Sequence, residues 1–250
     1  MQRLDRLVAR NTGASRKTVT RWCKKGVLTD PRGEPLAATQ KVPPHELPLE
    51  ILLDGERTLL HDEHHVLLHK PAGVVTAMKD GLHPTAYALV EHYPLSAELR
   101  AVGRLDLDCT GLLLWTTCGP LVHKLTHPKY KVPRVYQVAL ARAPTHTSPP
   151  KILEDGTVPH VVSWTLIELD ALHPSLQQPA EARCFAQICL YGGAYHEVKR
   201  IFAAMGSHVL ALSRVQHGRL ALPRDLAPGA SVSIPRAALE QALAAPEPAA

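Results

Sequence analysis

The segment that most constrains this chain is Gly111-Leu112-Leu113-Leu114-Trp115-Thr116-Thr117, a short apolar run without helical period. A glycine opens it and threonines close it, so it reads as a buried strand. No segment approaches the ~18 consecutive apolar residues that a membrane-spanning helix requires. A buried strand needs strand neighbours. The stretch VLLHKPAGVVTA (66–77) reads as a strand, a turn carrying Pro71 and Gly73, and a second strand. Further strand-like runs are RVYQVAL (134–140), RCFAQICLY (183–191), HVLAL (208–212) and the residues around 219–222. Helical patterns fall at Thr85–Tyr93 and Tyr195–Met205, and Gly206 is placed to end the second. Strands mixed with few helices predict an α+β domain on a mixed, largely antiparallel sheet. The Ala-rich end of the chain, with Pro246 and Pro248, predicts a flexible tail over 237–250.

Charge marks out a second region. Residues 1–41 carry ten Lys or Arg against three acids, a net +7, so the rest of the +5 chain is slightly acidic. Leu4, Leu7 and Val8 fall at i, i+3, i+4, as on a short amphipathic helix. Ser15 can cap a second helix and Gly26 can end it. On that helix Val19, Trp22 and Cys23 form an apolar stripe, while Lys17, Arg21, Lys24 and Lys25 share another face. That face is of one sign, with no acidic i+4 partner, and a solvated charged face and a phosphate-binding face are both open; the single sign favours phosphate. A basic module on a near-neutral body points to a polyanion, most simply nucleic acid. Pro43, Pro44 and Pro48 predict a linker or module edge near 43–60. The N-terminus lacks the apolar core of a secretory leader. Five cysteines, an odd number without a C-x-x-C pair, argue for a reducing compartment and against a disulfide framework or zinc ribbon.

Two carboxylates, Asp106 and Asp108, stand with Arg104 just before the apolar run, in GRLDLDCTG. A loop entering a buried strand is a common seat for a catalytic carboxylate. Asp106 can equally cap a turn or pair with Arg104. A paired-acid glycosidase is disfavoured, because residues two apart share one backbone and cannot flank a bond.

The motifs themselves carry a resemblance. GRLDLDCTGLLLWTTCG is similar to G-R-L-D-x-x-T-x-G-L-L-L-x-T-x-D-G, and HKPAGVV to N-K-P-x-G-x-V, followed by GLHPTAYALV. GGAYHEVKRIFAAMGSHVLALSR is similar to G-x-x-H-Q-V-K-R-M-F-x-x-x-G-x-x-V-x-x-L-x-R. In this order they resemble the RsuA-like family of ribosomal RNA pseudouridine synthases, and the last segments look closest to its 16S type. RLDRLVARNTGASRKTVTRWCKKG, near the start, resembles an S4 RNA-binding domain. The resemblance implies a small N-terminal S4-like α/β RNA-binding domain with linker at 1–58 and a catalytic domain at 59–236. It implies isomerisation of one ribosomal uridine to pseudouridine. Alternatives are a paralogue acting on 23S RNA and a non-catalytic S4-type assembly factor.

The resemblance makes Asp106 the catalytic aspartate, Lys199 the cation holding it ionised, and Tyr136 a ring stacking on the target base and relaying a proton; by local pattern alone Lys199 can equally be a solvent-facing helix residue and Tyr136 an ordinary strand tyrosine. It adds Arg104, Arg134 and Arg200 as RNA contacts, and in the N-terminal module Arg3, Arg16, Lys17, Arg21, Lys24 and Lys25. No cofactor and no metal are expected. The expected partner is ribosomal RNA or an assembling subunit, bound by a cytoplasmic monomer away from any membrane. Cys118 stands where the motif has aspartate, Cys109 where threonine is common, Glu197 in place of glutamine, and Arg134 in place of lysine. His61, His64, His65 and His69 crowd one segment but lack a metal-site signature, so they read as ordinary polar residues.

Overall fold

This computed structural model describes residues 1–243. They form two compact units, the first made of Met1–His64 with Tyr93–Glu98, the second of His65–His92 with the chain from Leu99 onward.

The first unit contains β1 (Gln2–Arg3), α1 (Leu4–Thr12), α2 (Arg16–Lys24), β2 (Leu28–Thr29), β3 (Lys41–Val42), β4 (Leu49–Leu53) and β5 (Glu56–Leu60). The i, i+3, i+4 pattern of α1 buries Leu4, Leu7 and Val8 completely, against Val19 of α2 and Leu28, Val42, Ile51 and Leu60 of the strands. Ser15 caps α2 by accepting from the Thr18 N–H at 3.1 Å, and Gly26, just past the helix, has φ of +69°. The expected linker at 43–60 is instead structured. Strands β2, β4 and β5 form a three-stranded antiparallel sheet, and the prolines sit only at its entrance. A boundary at residue 58 would cut β5, whose Leu60 completes this core.

The second unit is built on nine strands: β6 (His65–Lys70), β7 (Arg100–Ala101), β8 (Thr110–Thr116), β9 (Arg134–Leu140), β10 (Val161–Ile167), β11 (Cys184–Leu190), β12 (Val209–His217), β13 (Leu220–Ala221) and β14 (Ser231–Ser233). The order is β10-β11-β9-β12-β8-β6-β14, with β13 beside β12 and β7 beside β8. All pairings are antiparallel except β12 with β8. Every residue of β8 is buried, which explains its unbroken apolar sequence. Gly111 has φ of +106°, and a Cβ there would run into the Arg214 backbone, so only glycine lets β8 and β12 meet.

Among the described residues three helices accompany the sheet: α3 (Gly119–Thr126), α4 (Glu197–Ala204) and α5 (Arg236–Gln241). Residues 237–241, expected in the tail, belong to α5. Leu239 and Ala242 are fully buried in a cluster with Leu67, Leu112, Leu114, Leu121 and Leu125. The alanine-rich sequence forms an amphipathic turn that covers the sheet; residues 244–250 of the expected tail lie outside the described residues. Two local expectations also differ. Thr85–Tyr93 holds only a 3-10 turn at Tyr87–Leu89 instead of the expected helix. Val75–Ala77 makes an isolated bridge from Val75 to Thr85 rather than a second strand.

Among the described residues no helix is long and apolar enough to cross a membrane. His65 bonds the Thr116 hydroxyl and His69 the Leu226 carbonyl, each at 2.7 Å, so both serve the sheet.

Candidate active site

The loop between β7 and β8 carries Asp106, and its backbone is held from the β6 end. Lys70 is fully buried, and its Nζ donates to the carbonyls of Asp106 (2.9 Å), Cys109 (2.8 Å), Pro71 (3.0 Å) and Leu107 (3.4 Å). Thr76 Oγ1 donates to the Leu105 carbonyl at 2.8 Å, and Gly73 N–H to the Leu107 carbonyl at 2.8 Å. The H-K-P-A-G-V-V-T segment is thus the clamp on the Asp106 loop. Burial pushes the Lys70 ammonium down to about 8, against the pull of nearby Cys109, Asp108 and Asp106.

The Asp106 carboxylate, about one-third exposed, opens into a pocket of about 390 Å³. Tyr136 of β9 lines the same pocket, with its side chain almost buried, and so do Arg104, Cys109 and Leu212. The loop before α4, from Gly193 to Val198, closes another side. A larger cavity of about 950 Å³ does not include Asp106 but shares Arg104, Tyr136, Gly193, Ala194 and Glu197 with it. It continues past Lys131, Arg134, Arg214 and the 157–162 segment. What sets the smaller space apart is the Asp106 carboxylate, which it alone of the two places beside the Tyr136 ring.

The expected cation for Asp106 sits elsewhere. Lys199 donates to both carboxylate oxygens of Asp108 at 2.7 Å and does not line the Asp106 pocket. Burial alone would raise the Asp108 carboxyl, but the Lys199 ammonium outweighs it and the group lies below the usual carboxylate range. The side chain facing Asp106 is His196, with Nε2 at 3.7 Å from Oδ2. His196 adopts φ of +50°, a strained left-handed conformation that places its ring. Its signal in the sequence was the histidine of H-E-V-K.

Several other expected contacts are paired within the protein. Arg134 donates to the carbonyls of Tyr191 (2.9 Å), Gly192 (2.5 Å) and Leu125 (3.2 Å), so it ties the loop before α4 to the body rather than facing solvent. Arg200 pairs with Asp155 at 2.6 Å and Glu154 at 3.6 Å. In the first unit Arg3 and Arg16 share the buried carboxylate of Asp5, at 3.0 and 2.9 Å. Lys17, Arg21 and Lys24 on α2 and Lys25 at its end are exposed, as is Arg104, and none has a charge partner among the described residues.

Arg214 was not anticipated. Its Nε donates to the Leu112 carbonyl at 2.8 Å, it lies opposite Tyr136 in the strand register, and its buried Nη2 has no partner among the described residues while the residue lines the larger cavity. The closing arginine of the L-x-R motif was the available signal. The departures from the motif are structural. Cys118 takes the N-cap position of α3 without capping it, Cys109 is buried with its thiol pushed up to about 12, and Glu197 accepts from the Ala194 N–H at 2.9 Å.

Residues 64–204 match the model of the RNA pseudouridylate synthase family. The chain is 32% identical to ribosomal small subunit pseudouridine synthase A of Vibrio cholerae, over 91% of this chain and 93% of that protein. Its Escherichia coli counterpart is likewise 32% identical, over 91% of this chain and 94% of that one. A crystal structure of a pseudouridylate synthase superposes with a TM-score of 0.57 at 27% identity, covering 97% of this chain and all of the other.

Proposed function

This chain belongs to the RNA pseudouridylate synthase family, and we propose that it converts one uridine of small-subunit ribosomal RNA to pseudouridine. The observation that carries this reading is the Asp106 carboxylate, fixed by its backbone and open to a pocket it shares with Tyr136. The reaction breaks the bond from C1′ to N1, turns the freed uracil, and joins C1′ to C5. The proton leaving C5 is balanced by one gained at N1, so no cofactor is required. Asp106 serves as the nucleophile. A uracil in folded RNA must first be extruded, at a cost of a few kcal/mol. Tyr136 receives the extruded ring in the pocket. Arg104, exposed at the pocket edge, takes the neighbouring phosphate.

His196 and the Lys199–Asp108 pair take the structural share of the work. The pair ties α4 to the Asp106 loop, while His196 shields the carboxylate from one side. The first unit acts as an S4-like RNA-binding module whose contact face is Lys17, Arg21, Lys24 and Lys25, a second grip that helps offset the extrusion cost. The protein works in the cytoplasm as a monomer.

The test uses unmodified small-subunit RNA, free and assembled into particles, labelled with tritium at uridine C5. Tritium release at one mapped position is the expected result. Release from large-subunit RNA alone would move the substrate to the other subunit. No release from any ribosomal RNA, with RNA still bound, would leave a non-catalytic RNA-binding protein.

A further inference from the structure

Two tyrosines line the Asp106 pocket, and they are placed oppositely. Tyr136 is 8% exposed at its floor, whereas Tyr195 is 77% exposed at its rim. One face of Tyr195 is covered, because its ring lies on the His196 imidazole with centroids 3.8 Å apart and planes within 19°. The other face has no ring against it among the described residues.

The backbone around Tyr195 is pinned on both sides. Arg134 holds the carbonyls of Tyr191 and Gly192, the Glu197 carboxylate holds the Ala194 N–H, and His196 is locked at positive φ. The ring therefore projects from a rigid seat, and little ordering entropy remains to be lost when something lies on it. The stack His196–Tyr195 also starts from the residue that faces Asp106.

We propose that Tyr195 is a docking platform for a nucleobase adjacent to the target uridine, which extends the His196–Tyr195 stack by one layer. This rests on the RNA-modifying reading above. Extruding a uridine takes away a stacking partner of its neighbours, and an exposed aromatic ring at the pocket mouth replaces it. Base stacking on aromatic side chains is sequence-tolerant and favours unpaired RNA. Tyr195 thus holds the flanking nucleotide outside while Tyr136 meets the extruded base inside.

The experiment uses the full-length protein and small-subunit RNA carrying 2-aminopurine on one or the other side of the mapped uridine. Asp106→Asn serves as the background, so that the complex does not turn over. Quenching of the fluorophore on one side is expected. Tyr195→Ala abolishes the quench, and Tyr195→Phe and Tyr195→Trp restore it. In the active protein, Tyr195→Ala raises KM about tenfold, from the loss of one stacked base, with kcat changed less than threefold. Tyr195→Ser guards against a folding artefact of the alanine variant, and melting temperatures of all variants stay near wild type. An unaltered quench and KM in Tyr195→Ala would overturn the proposal. So would a fall in kcat at constant KM, which would place Tyr195 behind Asp106 as a support. Wild-type protein that releases no tritium would instead overturn the function proposed above, whatever Tyr195 does.

Discussion

In the second unit, Lys70, Arg134, Lys199, Arg200 and Arg214 each bind a carbonyl or carboxylate of the protein itself, whereas Lys17, Arg21 and Lys24 on α2 and Lys25 at its end have no charge partner among the described residues. The contrast follows from solvation. A cation in a half-dry cleft must be matched by an internal acceptor, or it costs several kcal/mol. A cation on a helix surface is hydrated and can wait for a phosphate. Cations near the pocket therefore build the site, and those on α2 remain available for a ligand. Arg104 is the exception at the pocket, exposed and without a charge partner among the described residues, which fits its proposed role as a phosphate contact.

The sharpest test of the pocket side is Asp106→Asn. It should lower tritium release by about a thousandfold or more while melting temperature and RNA affinity stay near wild type. Retained turnover would remove the carboxylate from its role.

Next comes Lys70→Met, which leaves the carbonyls of Asp106, Leu107, Cys109 and Pro71 without their shared donor. Denaturant titration should show a loss of about 2–4 kcal/mol. The pH dependence has a definite sign. With the folded ammonium down at about 8 and its ordinary value at 10.5, the unfolded chain binds more protons between those limits. Wild type should therefore gain stability relative to Lys70→Met as pH rises from 8 toward 10.5. Parallel stability curves for the two proteins would show that Lys70 titrates normally.

On α2, replacing Lys17, Arg21, Lys24 and Lys25 together with glutamine should weaken RNA binding tenfold or more at low salt. The slope of log Kd against log salt should fall by about 3. Thermal stability should not change, because none of the four supports the core. An unchanged salt slope would place the RNA-binding face elsewhere.

The smallest effect is expected at the Lys199–Asp108 pair. Double-mutant cycles with Lys199→Ala and Asp108→Ala should give a coupling below about 1 kcal/mol, because Asp108 is two-thirds exposed. A hundredfold loss of activity in Lys199→Ala alone, with Asp108→Ala near wild type, would instead join Lys199 to Asp106 in the RNA complex and blur the contrast drawn above.

What could be read from the chain was what depends on near neighbours. The buried strand β8, the apolar stripe of α1, the Ser15 cap and the one-signed face of α2 all follow from periodicity and short-range geometry. The motif around Asp106 was legible as residue types in order, and so was the largely antiparallel sheet. The linker at 43–60 and the part of the tail at 237–243 were misread, because proline and alanine content is local, whereas Ile51, Leu60 and Leu239 are held by residues far along the chain.

Sequence alone determined which residues carry charge and, for α1, α2, β8 and α4, which element bears them or stands beside them. Only the tertiary structure decided who meets whom. Lys199 takes Asp108 and leaves Asp106 to His196, although the two aspartates lie two positions apart. Arg200, next in the chain to Lys199, turns instead to Asp155. Such choices turn on ångström differences in direction across loops and strands as many as 91 residues distant, and one-dimensional spacing does not encode direction.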